Sequence, residues 1–377
     1  MSDWSAELEF LAKKVGMGAA NAVRAIRSAI DDDPYEILAY RGYGNGVKAH
    51  VYGRAVERTG AKPSGHADTV LVNLLNTYRR ADADPVRAAQ VSVHFGESAT
   101  AMSADNEGFF GGWLTSERPA ATEEWHEYHA ELQSHLPGTA DPVKSSGEIL
   151  IPPATAKFAV ISDIDDTVIQ SRVSNFIQAA RTVMLGNART RLPFHGVAAF
   201  YRALRAGPSG DEKNPIFYVS SSPWNIYDVI AEFMELQDIP KGPLLLRDWD
   251  ISLRSLASAR HFEHKGVAIR NVIQLYPEYR FVLIGDTSQH DPEIYRKIVA
   301  EFPDRISAIY IRDVTLHAGR TAEVKRLADE VRESNSTLVL AEDTLGAARH
   351  AVEHGLITPD ALPAIGEEKR EDEGSAS

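Results

Sequence analysis

Three aspartates fall within four consecutive positions where an apolar run stops, in the stretch FAVISDIDDTVIQ at residues 158–170. Carboxylates crowded in this way repel one another and raise each other's pKa unless a cation holds them. Two later apolar runs also end in polar residues. IFYVS leads into Ser220, Ser221 and Ser222, and RFVLIGD ends in Gly285 and Asp286, with Asp291 five residues on. Oxygen donors in a chain without cysteine select a hard divalent ion, Mg2+ rather than zinc. Lys265, in HFEHKGVAIRNVI, stands at the expected start of an amphipathic helix, from which an ammonium can neutralise a nucleophile and a phosphoryl oxygen together. On an extended strand end, positions i and i+2 project to the same side, so Asp163 can attack phosphorus while Asp165 delivers a proton to the leaving oxygen. With the hydroxyls of Thr167 and Ser220, these are the parts that phosphoryl transfer through an aspartyl-phosphate requires.

Such residues converge only if the chain brings several strand ends to one edge. From residue 157 onward, continuous apolar runs (FAVIS, IFYVS, PLLLRD, RFVLIGD, SAIYIRDV, STLVLAED) alternate with helical stretches. That pattern predicts an α/β fold with a doubly wound parallel sheet covered on both faces, whose ligand crevice lies at the carboxyl ends of the strands. Residues 34–135 instead read as short β-rich runs separated by Gly, Asn and Asp turns, a β-sandwich-like domain with one helical insertion at ADTVLVNLLNTYRR. His50 and His94 alternate there with apolar neighbours, as residues of a sheet face do. Residues 1–33 carry helical periodicity, and this amphipathic segment either lies on a membrane surface or docks on the protein itself. Residues 136–156, rich in Pro, Gly and Ser, read as a linker to a domain spanning 157–362, and 363–377 as a disordered acidic tail.

A length of 377 residues requires more than one domain, and the net charge of −13 argues against nucleic acid as a partner. With no signal-peptide pattern and no long apolar run, the expected location is cytoplasmic, with peripheral membrane association as an extension of that reading.

In their order and at their strand ends, DIDDT, YVSSS, HKG and GDTSQHD resemble the four motifs of the haloacid dehalogenase superfamily of phosphohydrolases. The resemblance implies that Asp163 is the nucleophile and a Mg2+ ligand, and that Asp165 is the general acid and base, binding the metal through its backbone carbonyl. It further implies that Ser220 holds the phosphoryl group, that Lys265 stabilises charge, and that Asp286 binds Mg2+ with Asp291 beside it. Within the superfamily, SDIDDT, YVSSSPWNIY, FEHK and LIGDTSQHDPEIY are most similar to the fungal actin-patch phosphatidate phosphatase family and its bacterial relatives, related to the lipin-type catalytic domain. The likeness runs from about residue 145 to 360. The extended proline-rich tail of the fungal members has no counterpart, so their cytoskeletal partners are not carried over.

Substrate choice should be written in the segment after Asp163. From Val168 to Gly210 there is no acidic residue, yet Arg172, Arg181, Arg189, Arg191, Arg202 and Arg205 all occur, with Phe176, Ile177, Val183, Met184 and Leu185 as an apolar strip. Arginines beside apolar side chains suit an anionic amphiphile, with Arg172, Arg181, Arg189, Arg191 and Ser221 as substrate-binding candidates. The same arginines could instead balance the aspartate cluster, with the apolar strip as core. The expected activity is therefore a Mg2+-dependent phosphatase of a phospholipid monoester such as phosphatidate. Phosphoprotein or nucleic-acid phosphates, and a non-catalytic phosphoryl- or lipid-binding module, stand as alternatives.

Overall fold

The computed structural model describes residues 35–57, 83–115, 123–133, 142–164, 195–247, 257–287, 290–313, 318–332, 336–341 and 343–374. The expectations for residues 1–33, for the helical insertion, and for Asp165, Thr167, Arg172, Arg181, Arg189 and Arg191 lie outside them.

The amino-terminal part holds β1 (Tyr35–Ala39), β2 (Gly42–Gly44), β3 (Lys48–Glu57), β4 (Gln90–Phe95), β5 (Ser98–Ser103), β6 (Phe109–Thr115), β7 (Trp125–Leu132) and β8 (Lys144–Leu150). One ladder joins them in the order β1-β3-β2-β8-β7-β4-β5, with β6 on β3. The pairings are antiparallel except that of β2 with β8. The sheet curls until β5 and β6 lie side by side. Alternation drives it: Val91, Val93 and Phe95 of β4 are buried, whereas Gln90, Ser92 and His94 between them are not. The linker expected at 136–156 needs correction, because Lys144–Leu150 is an interior strand paired on both edges, to β2 and β7. Its Gly147 packs against the Tyr128 ring where a Cβ would collide, so the small residues that resemble a linker are what lets the strand approach.

The second part follows as β9 (Phe158–Asp163), α1 (Val197–Ala206), β10 (Ile216–Pro223), α2 (Tyr227–Leu236), β11 (Leu244–Arg247), α3 (Ala257–Leu275), β12 (Arg280–Asp286), α4 (Asp291–Glu301), β13 (Ile306–Arg312), α5 (Ala318–Arg332), β14 (Thr337–Ala341), α6 (Thr344–Glu353) and α7 (Ala361–Gly374). Its six strands are all parallel, in the order β11-β10-β9-β12-β13-β14. Chain order reverses between β9 and β12, the switch point at which open parallel sheets bind ligands. Period-two alternation splits the strand residues between two cores. Val160, Tyr218, Val282 and Tyr310 pack with α1, α2 and α6, while Ile161, Phe217, Leu283 and Ile309 pack with α3, α4 and α5. The α/β architecture with a parallel sheet is as expected from the apolar runs.

The acidic tail also needs correction. Ala361–Gly374 is helical as α7, with Ile365 buried and the Glu368 carboxylate accepting the Ala199 backbone N–H at 2.7 Å while pairing with Arg202. α1 has Gly196 as its N-cap, without a side-chain cap, so Glu368 supplies the missing acceptor from another helix. A composition that looks too polar to pack is held here by ion pairs and capping.

Aromatic side chains join the two parts. Tyr40 stacks on Trp224 and Tyr227 with centroids at 5.3 and 4.2 Å, and the Tyr276 hydroxyl donates to Gly44 O at 2.9 Å. Among the described residues, no helix is long and apolar enough to cross a membrane.

Candidate active site

β9 carries Asp163 at its end on the same face as Ile161, the face covered by α3 and α4. Lys265 reaches down from α3 and Asp291 opens α4, so the strand's pleat and two helix positions aim three charged groups at one point. Lys265 Nζ lies 2.6 Å from Asp163 Oδ1 and donates a hydrogen bond to Asp291 Oδ1 at 2.9 Å. Asp286, at the end of β12, completes the group. Carboxylate oxygens of Asp163, Asp286 and Asp291 all lie within 4.8 Å of one another, and these residues and Lys265 are each 3% exposed or less. Lys265 is well inside α3 rather than at its start, since the helix begins at Ala257.

Buried charges of this kind are costly unless paired. Three carboxylates face one ammonium here, and the donors are all hard oxygens, so the triad could hold a metal ion. The local backbone is built for this crowding. A Cβ on Gly285 would stand 2.6 Å from Asp291 Oδ2, so only glycine before Asp286 lets the Asp291 carboxylate come so close. That same oxygen accepts the Asp286 N–H at 3.3 Å. Asp291 sits in the first turn of α4, where the helix dipole favours a negative charge. One turn on, Tyr295 donates to Ile284 O at 2.7 Å and fixes α4 to β12. Burial first, and then the three neighbouring carboxylates, push its hydroxyl pKa well up, so it remains a donor.

Ser220 lies towards the end of the neighbouring strand, one position beyond the partner of Asp163 in the β9–β10 register, and its buried Oγ accepts the Ser222 N–H at 2.9 Å. Ser221 beside it is only partly buried. The structure thus brings together Asp163, Lys265, Asp286 and Asp291 and puts Ser220 at the adjacent strand end.

Sequence reasoning missed the support beneath Asp163. Ser162 Oγ donates to Asp163 O at 2.8 Å, which leaves the Tyr201 hydroxyl, 2.6 Å away, as the donor to Ser162. Burial raises the Tyr201 pKa, keeping that proton in place. Nothing in the spacing of Tyr201 signals this role. Asp313 could have been found, because it follows the end of β13 on the same sheet edge; its Oδ1 lies 3.4 Å from Thr287 Oγ1.

Residues 158–313 match the family described as phosphatidate phosphatase APP1, catalytic domain, which bears out the motif-based recognition over that segment. The chain is similar to phosphatidate phosphatase APP1 of Saccharomyces cerevisiae, 28% identical over 184 residues, covering 48% of this chain and 30% of that one. An uncharacterized protein of Schizosaccharomyces pombe is 31% identical over 161 residues, covering 41% of this chain and 25% of the relative. The matched part is thus less than a third of either relative's length. A putative alpha-galactosidase from Bacteroides fragilis aligns over 85% of this chain and 55% of its own, at 9% identity and a TM-score of 0.23, too low to bear on the fold.

Proposed function

We propose that the chain is a Mg2+-dependent phosphatase that acts through an aspartyl-phosphate, with phosphatidate as substrate and diacylglycerol and phosphate as products. The observation that carries this reading is the convergence of Asp163, Asp286 and Asp291 around Lys265 at the switch point of the parallel sheet. The similarity of residues 158–313 to a phosphatidate phosphatase catalytic domain supports the substrate. The strand order and the site's place on it support a haloacid dehalogenase type of fold, and the curl that brings β5 to β6 supports a sandwich-like amino-terminal domain.

In this mechanism the Asp163 carboxylate attacks phosphorus as the ester P–O bond breaks, and Asp165 gives its proton to the departing alkoxide. Asp165 then takes a proton from water as that water attacks the acyl-phosphate, returning Asp163 and releasing phosphate. Lys265 neutralises charge on the phosphoryl group, and Ser220 and Thr167 hydrogen-bond it. Asp163, Asp286 and Asp291, with the Asp165 carbonyl, would hold Mg2+, which when bound supplies charge neutralisation at the phosphoryl oxygens. Arg172, Arg181, Arg189 and Arg191, with Ser221, bind the anionic headgroup at a peripheral, cytoplasmic membrane surface.

The test is phosphate release from lipid, nucleotide, sugar and protein phosphoesters, before and after chelation. Phosphatidate should lead the panel, EDTA should silence the enzyme, and Mg2+ should restore it better than the larger Ca2+. Activity that survives exhaustive chelation would overturn the metal assignment, and a preference for protein or nucleic-acid phosphates would overturn the substrate.

A further inference from the structure

A cavity of about 370 Å³ lies between the curled sheet and α3, within the size range of small-molecule sites. One wall is a helical stripe, His264, Val267, Ala268 and Asn271, spaced as one face of α3 requires. The facing wall comes from β3 and β6, with His50, Tyr52 and Phe109, and Trp224 closes the end. One of these elements also carries the candidate active site, because Lys265 follows His264 on α3, and Trp224 comes four residues after Ser220 on the chain, just past the end of β10. The cavity is thus linked to the carboxylate cluster through residues close to it along the chain, and the amino-terminal part builds half of it.

Its chemistry is the reverse of a phosphate site. No lysine or arginine lines it among the described residues, and the Asp105 carboxylate is engaged in a turn, accepting the N–H groups of Glu107 and Phe109 at 2.9 and 2.8 Å. His50 is enclosed by the rings of Tyr43, Tyr52 and Trp113, and burial lowers its pKa to about 4, so it adds no positive charge. In the lining, Val267 is 51% exposed; Trp113, which touches His50 from outside the lining, is 40% exposed. Lys48 Nζ lies 4.7 Å above the Trp113 ring. An interior without cations, in which aromatic rings stand beside the polar groups of Asp105, His264 and Asn271, suits an uncharged ester of mixed polarity rather than a phosphate.

We propose that this interdomain cavity binds the uncharged alcohol portion of the substrate, the acyl segment nearest the glycerol, while the phosphoryl group lies among Asp163, Lys265 and Ser220. The inference rests on the phosphatase reading for its orientation and gives the amino-terminal sheet a share in specificity. The charge division carries it: the ester has one anionic end and one uncharged end, and the cavity offers no cation to a phosphate, whereas Lys265 stands in the carboxylate cluster.

Val267→Arg places a charge in the lining at a position that is half exposed. Two measurements decide the matter. In the first, the ratio of kcat/KM for dihexanoyl phosphatidate to that for glycerol 3-phosphate should fall about tenfold or more in the variant. In the second, calorimetric titration with dihexanoylglycerol, which carries no phosphate, should show binding to the wild type that weakens by about tenfold in the variant. An unchanged ratio, or diacylglycerol binding that the variant retains or the wild type lacks, overturns the cavity assignment. Wild-type binding of dihexanoylglycerol without hydrolysis of any phosphoester leaves the cavity standing and refutes the phosphatase reading instead.

Discussion

Each of the two sheets buries a cation, and the two cations are treated differently. In the curled sheet, Arg54 is 5% exposed, its Nε and Nη2 donate to Glu107 O and Ala83 O at 3.0 and 3.2 Å, and its guanidinium lies over the Phe109 ring. Against the parallel sheet, Lys265 of α3 lies beside two carboxylates with a third close by. The first arrangement meets a cation with backbone carbonyls and an aromatic face and holds a turn together. The second gathers more negative charge than its own cation offsets, a costly arrangement that makes sense only if something else positive enters. Burial of charge alone does not mark a site; an excess of one sign does.

The largest effect that separates the two is on turnover. Asp163→Asn should lower kcat by about a thousandfold or more, since the amide is nearly isosteric but cannot form the acyl-phosphate. The melting temperature should hold or rise, because a like charge is removed from the cluster. Near wild-type turnover would remove Asp163 from the nucleophile's role.

Arg54→Met should do the opposite. Stability should fall by about 3 kcal/mol, read by urea unfolding, because the Ala83 and Glu107 carbonyls lose their donor and the packing of the buried side chain changes, while soluble-ester turnover per folded molecule stays at the wild-type level. If turnover drops in step with stability, the separation of scaffold from site fails.

An effect of at most that size, confined to acid pH, comes from His50. Unfolded, an imidazole titrates near 6.5, whereas burial holds that of folded His50 at about 4. Between these values the unfolded chain binds more protons, so stability should decline as pH falls through this window, by up to about 3 kcal/mol. His50→Phe should flatten the stability profile between pH 4 and 6.5, and an unaltered slope would place the titrating group elsewhere. The smallest change expected is Glu368→Ala, a loss of about 1 kcal/mol from the uncapped start of α1. Glu368→Gln should restore part of it, since an amide oxygen can still accept from Ala199.

The same contrast explains what could be read in advance. Strands β9, β10, β12 and β13 are buried on both faces and announce themselves as apolar runs, and the polar residues that end them mark the ligand edge without any need of side-chain detail. Asp163 and Asp286 were legible for that reason, and Lys265 and Asp291 only through their spacing from those strand ends. β8 was not, because KSSGEIL owes its place to small residues fitting under Tyr128 rather than to apolar alternation. α7 was hidden too, since Glu368 and Lys369 work through partners distant in sequence, Arg202 and Asp343. The Tyr201–Ser162 support of Asp163 depends on a helix-to-strand contact that local pattern does not encode.

The pairing of β2 with β8 has a consequence for the order in which the molecule can be made. Gly42 and Tyr43 leave a growing chain early, but their partners Ile149 and Leu150 emerge only after most of the curled sheet is synthesised. Until then β2 lacks its neighbour on that edge, and the closing strand arrives just ahead of β9, the strand that carries Asp163. Closure of the first sheet and nucleation of the second are therefore successive events on one short stretch of chain. Such long-range pairing folds slowly. A ribosome stalled before residue 144 should expose a sheet that remains open to protease, and one stalled far enough on for Leu150 to have cleared the exit tunnel should not.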